Sequence, residues 1–162
     1  MTLNIHLLGQ FKLTTGEQEI DLPSRPAQTL LAYLVLNAGV IHRREKLASM
    51  IWPESNEINA RSYLRQALWR IRKSLENCSI RYEDFLGISD ISITFKANSD
   101  YFLDAELLLD QDTSKPVEEL IELVDLYRGE LLPGFYEEWI VIERDRLEAA
   151  FHQKINHSLF YD

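Results

Sequence analysis

A single cysteine, Cys78, occurs in the 162 residues, so the chain can form neither an internal disulfide nor a thiolate metal cage, and a reducing compartment suits it. No apolar run approaches the roughly 20 residues that cross a bilayer. Residues Met1 to Gln10 lack a basic segment followed by a cleavable apolar stretch. A cytoplasmic location is therefore expected. The six glycines include no Gly-rich phosphate loop, His6, His42, His152 and His157 are scattered without metal-ligand spacing, and no nucleophile elbow is present. Paired carboxylates abound near the C-terminus, but nothing marks a cleft. The expectation is a protein that is not an enzyme, with no catalytic residue, no metal and no cofactor. Asn77-Cys78-Ser79 has the spacing of a glycosylation acceptor, which carries no weight without a secretory signal.

What the chain does have is the balance of a folded protein, 46% hydrophobic and 27% charged residues, enough for one ordinary domain or two small ones. The formal charge of −9 runs against the basic footprint of a nucleic-acid binder. Its distribution does not. Residues 1–98 carry 12 Lys and Arg against 10 Asp and Glu, a balance of +2, whereas residues 99–162 carry 5 against 16, a balance of −11. Between Arg43 and Arg81, nine basic residues face four acidic ones. Such asymmetry points to two parts with different work.

Leu3 to Leu8, Phe11 to Leu13 and Glu19 to Leu22 alternate with period two around the turn signal Thr15-Gly16, which predicts a small N-terminal antiparallel sheet. Ser24-Arg25-Pro26 starts a helix with Ala27, Leu30, Leu31, Leu34 and Ala38 on one face and Gly39 as its stop. A second helix is expected from about Arg43 to Trp52, ended by Pro53. The third, from about Glu57 to Leu75, places Leu64, Leu68, Ile71 and Leu75 on one buried stripe. Ser79 to Ile88 and Ile91 to Phe95 then alternate around Ser89-Asp90, as in a hairpin. Sheet, three helices and terminal hairpin follow the order of a winged helix-turn-helix over residues 1–98. After a junction at Lys96 to Asp100, Val117, Leu120, Ile121 and Val124 share a helical face, and Gly129 with Pro133-Gly134 breaks the pattern. A last helix from about Tyr136 carries Trp139, Ile142, Leu147, Ala150, Phe151, Ile155 and Leu159. Two such helices over residues 99–162 make about one unit of a tetratricopeptide-like repeat. The expected class is α+β, a winged helix followed by an all-α segment. The apolar residues of the last helix, including Phe160, predict self-association.

Opposite the buried stripe of the third helix lie Ser62, Gln66, Arg70 and Lys73, flanked by Arg61, Arg65, Trp69 and Arg72. Arginine and amide side chains are the ones best suited to base edges in a major groove, which singles out Arg65, Gln66, Trp69 and Arg70. Arg61, Arg72 and Lys73 suit phosphate contact. Arg43 and Arg44 begin the second helix, whose N-terminal amides also favour an anion. Arg81 and Lys96, on the hairpin, are weaker candidates. From pattern alone, a solvated face laced with ion pairs is an equally good account of these charges. Trp52 and Trp139 fall within apolar patterns and read as core. Glu137, Glu138, Glu143 and Asp145 read as a solvated acidic face. The rival to a DNA-binding protein is a helical-repeat protein–protein interaction scaffold that binds no DNA.

Several motifs in order, Leu22-Pro23-Ser24-Arg25, Leu30-Leu31-Ala32-Tyr33-Leu34, Ile51-Trp52-Pro53-Glu54 and the run from Ala60 to Lys73, resemble the bacterial antibiotic-regulatory (SARP-type) transcriptional activators. The match continues at Ser99-Asp100-Tyr101-Phe102-Leu103-Asp104 and extends into the run from Leu126 to Trp139, which resembles the opening of the bacterial transcriptional activator domain. The resemblance implies an OmpR-type winged helix that binds double-stranded promoter DNA at repeats. It further implies a helical module that assists homodimerisation and contacts RNA polymerase, of which residues 99–162 would be only the first part. Two positions depart from the family pattern. Pro26 replaces a commonly basic residue, and the hairpin turn Ser89-Asp90 is acidic where related wings present a basic side chain to DNA.

Overall fold

A computed structural model describes residues 1–109, 122, 125 and 127–161, with side chains described to residue 156. The helix read over Val117 to Val124 lies outside the described residues, as do the side chains of Leu159 and Phe160. The backbone divides into two compact units, one of Met1–Leu3 and Leu13–Tyr101, the other of Asn4–Lys12 and Phe102–Asp162. Among the described residues no helix is long and apolar enough to cross a membrane.

In the first unit, β2 (Lys12–Thr15) and β3 (Gln18–Ile20) pair antiparallel with Leu13 opposite Ile20. Gly16 adopts φ +58° in the loop between them, a region open to glycine at no steric cost. Helix α1 (Arg25–Leu36) starts where Ser24 Oγ accepts a hydrogen bond from the Ala27 amide at 3.3 Å, with Pro26 in the first turn. It buries Ala27, Leu30, Leu31, Leu34 and Val35. The chain leaves the helix at Asn37, so Ala38 is past its end, and Gly39 takes φ +87°.

Helix α2 (Arg44–Ile51) is shorter than the pattern suggested, because His42 and Arg43 form a strand, β4, before it. Helix α3 (Glu57–Asn77) is capped by Asn56, whose side-chain oxygen accepts from the Asn59 amide at 2.8 Å. Its buried stripe is Ala60, Leu64, Ala67, Leu68, Ile71, Ser74 and Leu75, and both α1 and α2 pack against it. Burying a Leu- or Ile-sized side chain contributes roughly 1.5–3 kcal/mol, so this stripe fixes which face of α3 is left to solvent.

The strand expected from Ser79 does not form. Ser79 has φ +60°, and Tyr82–Asp84 make a 3₁₀ turn. Strands β5 (Leu86–Ile88) and β6 (Ser92–Phe95) then pair, and β4 adds to the other side of β6 with His42 opposite Ile93. Leu86, Ile93 and Phe95 are buried.

The second unit takes residues 4–12 from the N-terminal segment, so the compact units do not follow a single cut at residue 98. Strand β1 (Leu3–His6) lies beside β7 (Tyr101–Leu103), a strand too short to register in the sequence pattern. Beyond it, Asp104 accepts from the amides of Leu7 and Leu8, and Leu8 forms a bridge with Leu131. These bonds give the N-terminal segment its place in this unit. Gly9, at φ +83°, lies against the Arg128 carbonyl so closely that a Cβ would sit 3.1 Å from its oxygen. Helix α4 (Glu106–Leu109) packs on α5 (Glu138–Tyr161). On α5, Ile140 and Leu147 are buried while Ile142 is 59% exposed, which removes Ile142 from the predicted apolar face. Phe151 is half-buried and stacked on Tyr127 at 4.1 Å between ring centroids. Sheets and helices together make the fold mixed α+β.

Candidate nucleic-acid interface

Because α1 and α2 cover one side of α3, its other side carries the residues singled out from the sequence. Arg61, Arg65, Gln66, Trp69, Arg70 and Lys73 are exposed, and Ser62 and Arg72 are half-buried. Trp69 is 58% exposed, which is unusual for so large an apolar group unless a partner covers it.

Arg65, Gln66, Leu68, Trp69, Arg70 and Arg72 line an open cleft of about 660 Å³, with Arg44, Tyr82, Ile88, Ser89 and Asp90 on its other sides. A second cleft of about 420 Å³ brings Arg43, Arg44, Arg61 and Arg65 together with Glu45, Asp90 and Ile91. Ser62 and Lys73 line neither. Ser62 sits within reach of Gln66, whose Nε2 donates to the serine Oγ at 3.4 Å.

The cations differ in what already holds them. Arg65, Arg70 and Lys73 have no ion pair or hydrogen-bond partner among the described residues. Arg61 reaches Glu57 at 3.7 Å, one turn away, and Arg43 reaches Glu45 at 3.3 Å. Arg72 lies over the Tyr82 ring, its guanidinium carbon 4.3 Å from the centroid. Exposed pairs of this kind are weak, about 0–1 kcal/mol, and yield readily to a polyanion.

Arg43 is the N-cap of α2 and Arg44 its first residue, and both line the smaller cleft. Arg43 belongs to β4, and the Arg44 amide donates to the Ile91 carbonyl at 3.0 Å, so the first N–H of α2 is spent. The Arg44 guanidinium also donates to the Ser89 carbonyl at 2.9 Å. Its work is to fasten the β5–β6 turn beside α3. Arg81 lies 3.9 Å from Glu83, and Lys96 Nζ donates to the Glu83 carbonyl at 2.6 Å, so both serve the 3₁₀ turn and line neither cleft.

Trp52 and Trp139 are half-buried rather than core, and Trp52 packs against Tyr63 with ring centroids 6.0 Å apart. Burial pushes His42, on β4, below the usual imidazole range. Among the described residues no group of three or more His, Cys, Asp or Glu side chains is placed to hold a metal ion.

Besides Leu68 of the buried stripe, four residues of the larger cleft are not singled out by the sequence as site residues: Tyr82, Ile88, Ser89 and Asp90. The 3₁₀ turn that brings Tyr82 under Arg72 lies in a segment whose alternation predicts strand, and nothing in a local pattern places the hairpin turn against α3.

No family model and no curated protein matches the chain. Among solved structures it is similar to EmbR of Mycobacterium tuberculosis in complex with a low affinity phosphopeptide, with a TM-score of 0.79 at 16% sequence identity. The match covers 94% of this chain and 43% of that one, so the chain spans less than half the length of the protein it resembles. At this identity the likeness is one of fold, and it extends over nearly all of the mixed α+β architecture described above.

Proposed function

We propose that the chain is a sequence-specific DNA-binding transcriptional regulator, an activator, in which the first unit works as a winged helix-turn-helix and α3 is the recognition helix. The observation that carries this reading is the solvent face of α3. Arg65 and Arg70, without partners among the described residues, flank Gln66 and an exposed Trp69 in one cleft beside the hairpin turn. Cations kept out of ion pairs and arrayed along one helix face suit a polyanion, and the major groove of B-DNA admits one helix. Arg65, Gln66, Trp69 and Arg70 would read base edges, while Arg61, Arg72 and Lys73 would contact phosphates and set register. The SARP-type resemblance supports the same reading, as does the fold shared with EmbR. From the resemblance alone we extend the proposal to homodimerisation and contact with RNA polymerase.

The test is selection of bound duplexes from a random pool, followed by fluorescence anisotropy with Arg65→Ala and Arg70→Ala. Each substitution should cost roughly 1–3 kcal/mol of specific affinity if it removes a bidentate base contact. Melting temperature should barely move, since neither residue touches the core. A chain that selects no duplex at any salt would instead fit the interaction-scaffold reading.

A further inference from the structure

The acidic residue at the tip of the β5–β6 hairpin lines both clefts along α3. Asp90 is exposed, and no cation comes within ion-pair distance of it among the described residues. Its position is nevertheless closely held. Ser89 Oγ accepts from the amides of Ile91 and Ser92 at 3.2 and 3.0 Å, and the Ser89 amide donates to the Ser92 carbonyl at 2.9 Å. Arg44 grips the same turn from α2, with its guanidinium on Ser89 and its amide on Ile91. A turn fastened from within and from outside presents an unpaired carboxylate to whatever fills the clefts.

We propose that Asp90 is a specificity-determining residue of the interface, an inference that rests on the DNA-binding reading above. An ionised carboxylate accepts hydrogen bonds and donates none. It can pair with no phosphate oxygen, nor with O6 or N7 of guanine, nor with O4 of thymine. On a duplex edge in the major groove its partners are the exocyclic amino groups of cytosine and adenine. Every base pair carries one such amino group in the major groove, so where the strand within reach presents guanine or thymine instead, the carboxylate meets only acceptors and backbone charge, and repulsion weakens binding. Asp90 thereby lowers sequence-independent affinity and rewards one base class. Arg44 is its positioning residue.

Asp90→Asn tests this, since Asn retains the size and turn preference of Asp while removing the charge. Anisotropy would compare wild type and variant on the duplex selected by the wild-type chain and on a scrambled duplex, across a salt series. At about 50 mM salt the variant should bind the scrambled duplex about three- to tenfold more tightly, the gain shrinking as salt rises. The ratio of selected to scrambled affinity should fall, and repeating the selection with the variant should relax a cytosine or adenine preference at one position. An unchanged ratio and an unchanged selected sequence would overturn the role of Asp90 and leave the DNA-binding reading standing. Failure of the wild-type chain to select any duplex would overturn both.

Discussion

The guanidinium carbon of Arg72 lies 4.3 Å from the centroid of the Tyr82 ring. One residue comes from α3 and the other from the 3₁₀ turn that follows it, so the stack fixes a long cationic side chain at the wall of the larger cleft. An ordered guanidinium loses less rotamer freedom on binding a phosphate than a mobile one.

Replacing Tyr82 with Leu should therefore weaken DNA binding by about 0.5–1 kcal/mol, the size of an exposed cation–π contact. The loss should be similar on selected and scrambled duplexes, because Arg72 is assigned to phosphate and not to a base. Tyr82→Phe keeps the ring face and should bind as wild type does. Anisotropy on the two duplexes checks both statements, and a loss confined to the selected duplex would reassign Arg72 to base reading.

Arg144 is a cation inside the second unit, 8% exposed on α5 between the buried residues Ile140 and Leu147. Its guanidinium donates to the carbonyls of Leu131, Leu132 and Phe135 at 2.7 to 2.9 Å and lies 3.5 Å from Glu130. These bonds secure a turn in which Leu132 is held at φ +42°, a conformation that costs a branched residue about 1–3 kcal/mol. Arg144→Met should leave three carbonyls without that donor and destabilise the protein by about 3–5 kcal/mol. Arg144→Lys cannot reproduce the fork and should recover only part of the loss. Denaturant melts of the two variants provide the measurement.

Much of the first unit was legible in the sequence because its signals are local. The helix start at Ser24, the stop signal Gly39 and the stripe from Leu64 to Leu75 each depend on residues within a few turns. The exposed side of α3 follows from that stripe by geometry, so its arginines and Trp69 could be named in advance. What escaped depends on contacts distant in sequence. Strand β4 exists because His42 and Arg43 meet β6 some fifty residues on. The placement of residues 4–12 turns on Asp104, and the grip of Arg44 on Ser89 spans 45 positions. Arg144 left a trace, a charge at the centre of an apolar stripe at 140, 144 and 147.

Asp104 supplies a prediction about pH. Its carboxylate, 1% exposed, accepts from the amides of Leu7 at 3.0 and 3.1 Å, Leu8 at 3.0 Å and Ala105 at 2.8 Å. His6 Nδ1 lies 3.8 Å away. Burial raises the Asp104 pKa above its ordinary value of 3.8, opposed by the amides of Leu7 and Leu8, the field of His6 and the Ala105 amide. The net direction is upward. The folded state then binds a proton at a pH where the unfolded chain does not, so this group contributes stability as pH falls through the folded pKa, and the gain is complete below about 3.8. Above the folded pKa the contribution is absent. Asp104→Asn cannot titrate, so the stability of the wild type relative to this variant should increase between neutral pH and the ordinary carboxylate range and then level off. Carrying His6→Gln in both proteins removes the neighbouring imidazole from the comparison. Asp104→Ala leaves three buried amides without an acceptor and should cost about 3–5 kcal/mol at any pH. If acidification instead narrows the gap between wild type and Asp104→Asn, the amide donors outweigh desolvation, and Asp104 acts as a charged anchor whose loss on protonation releases the N-terminal segment.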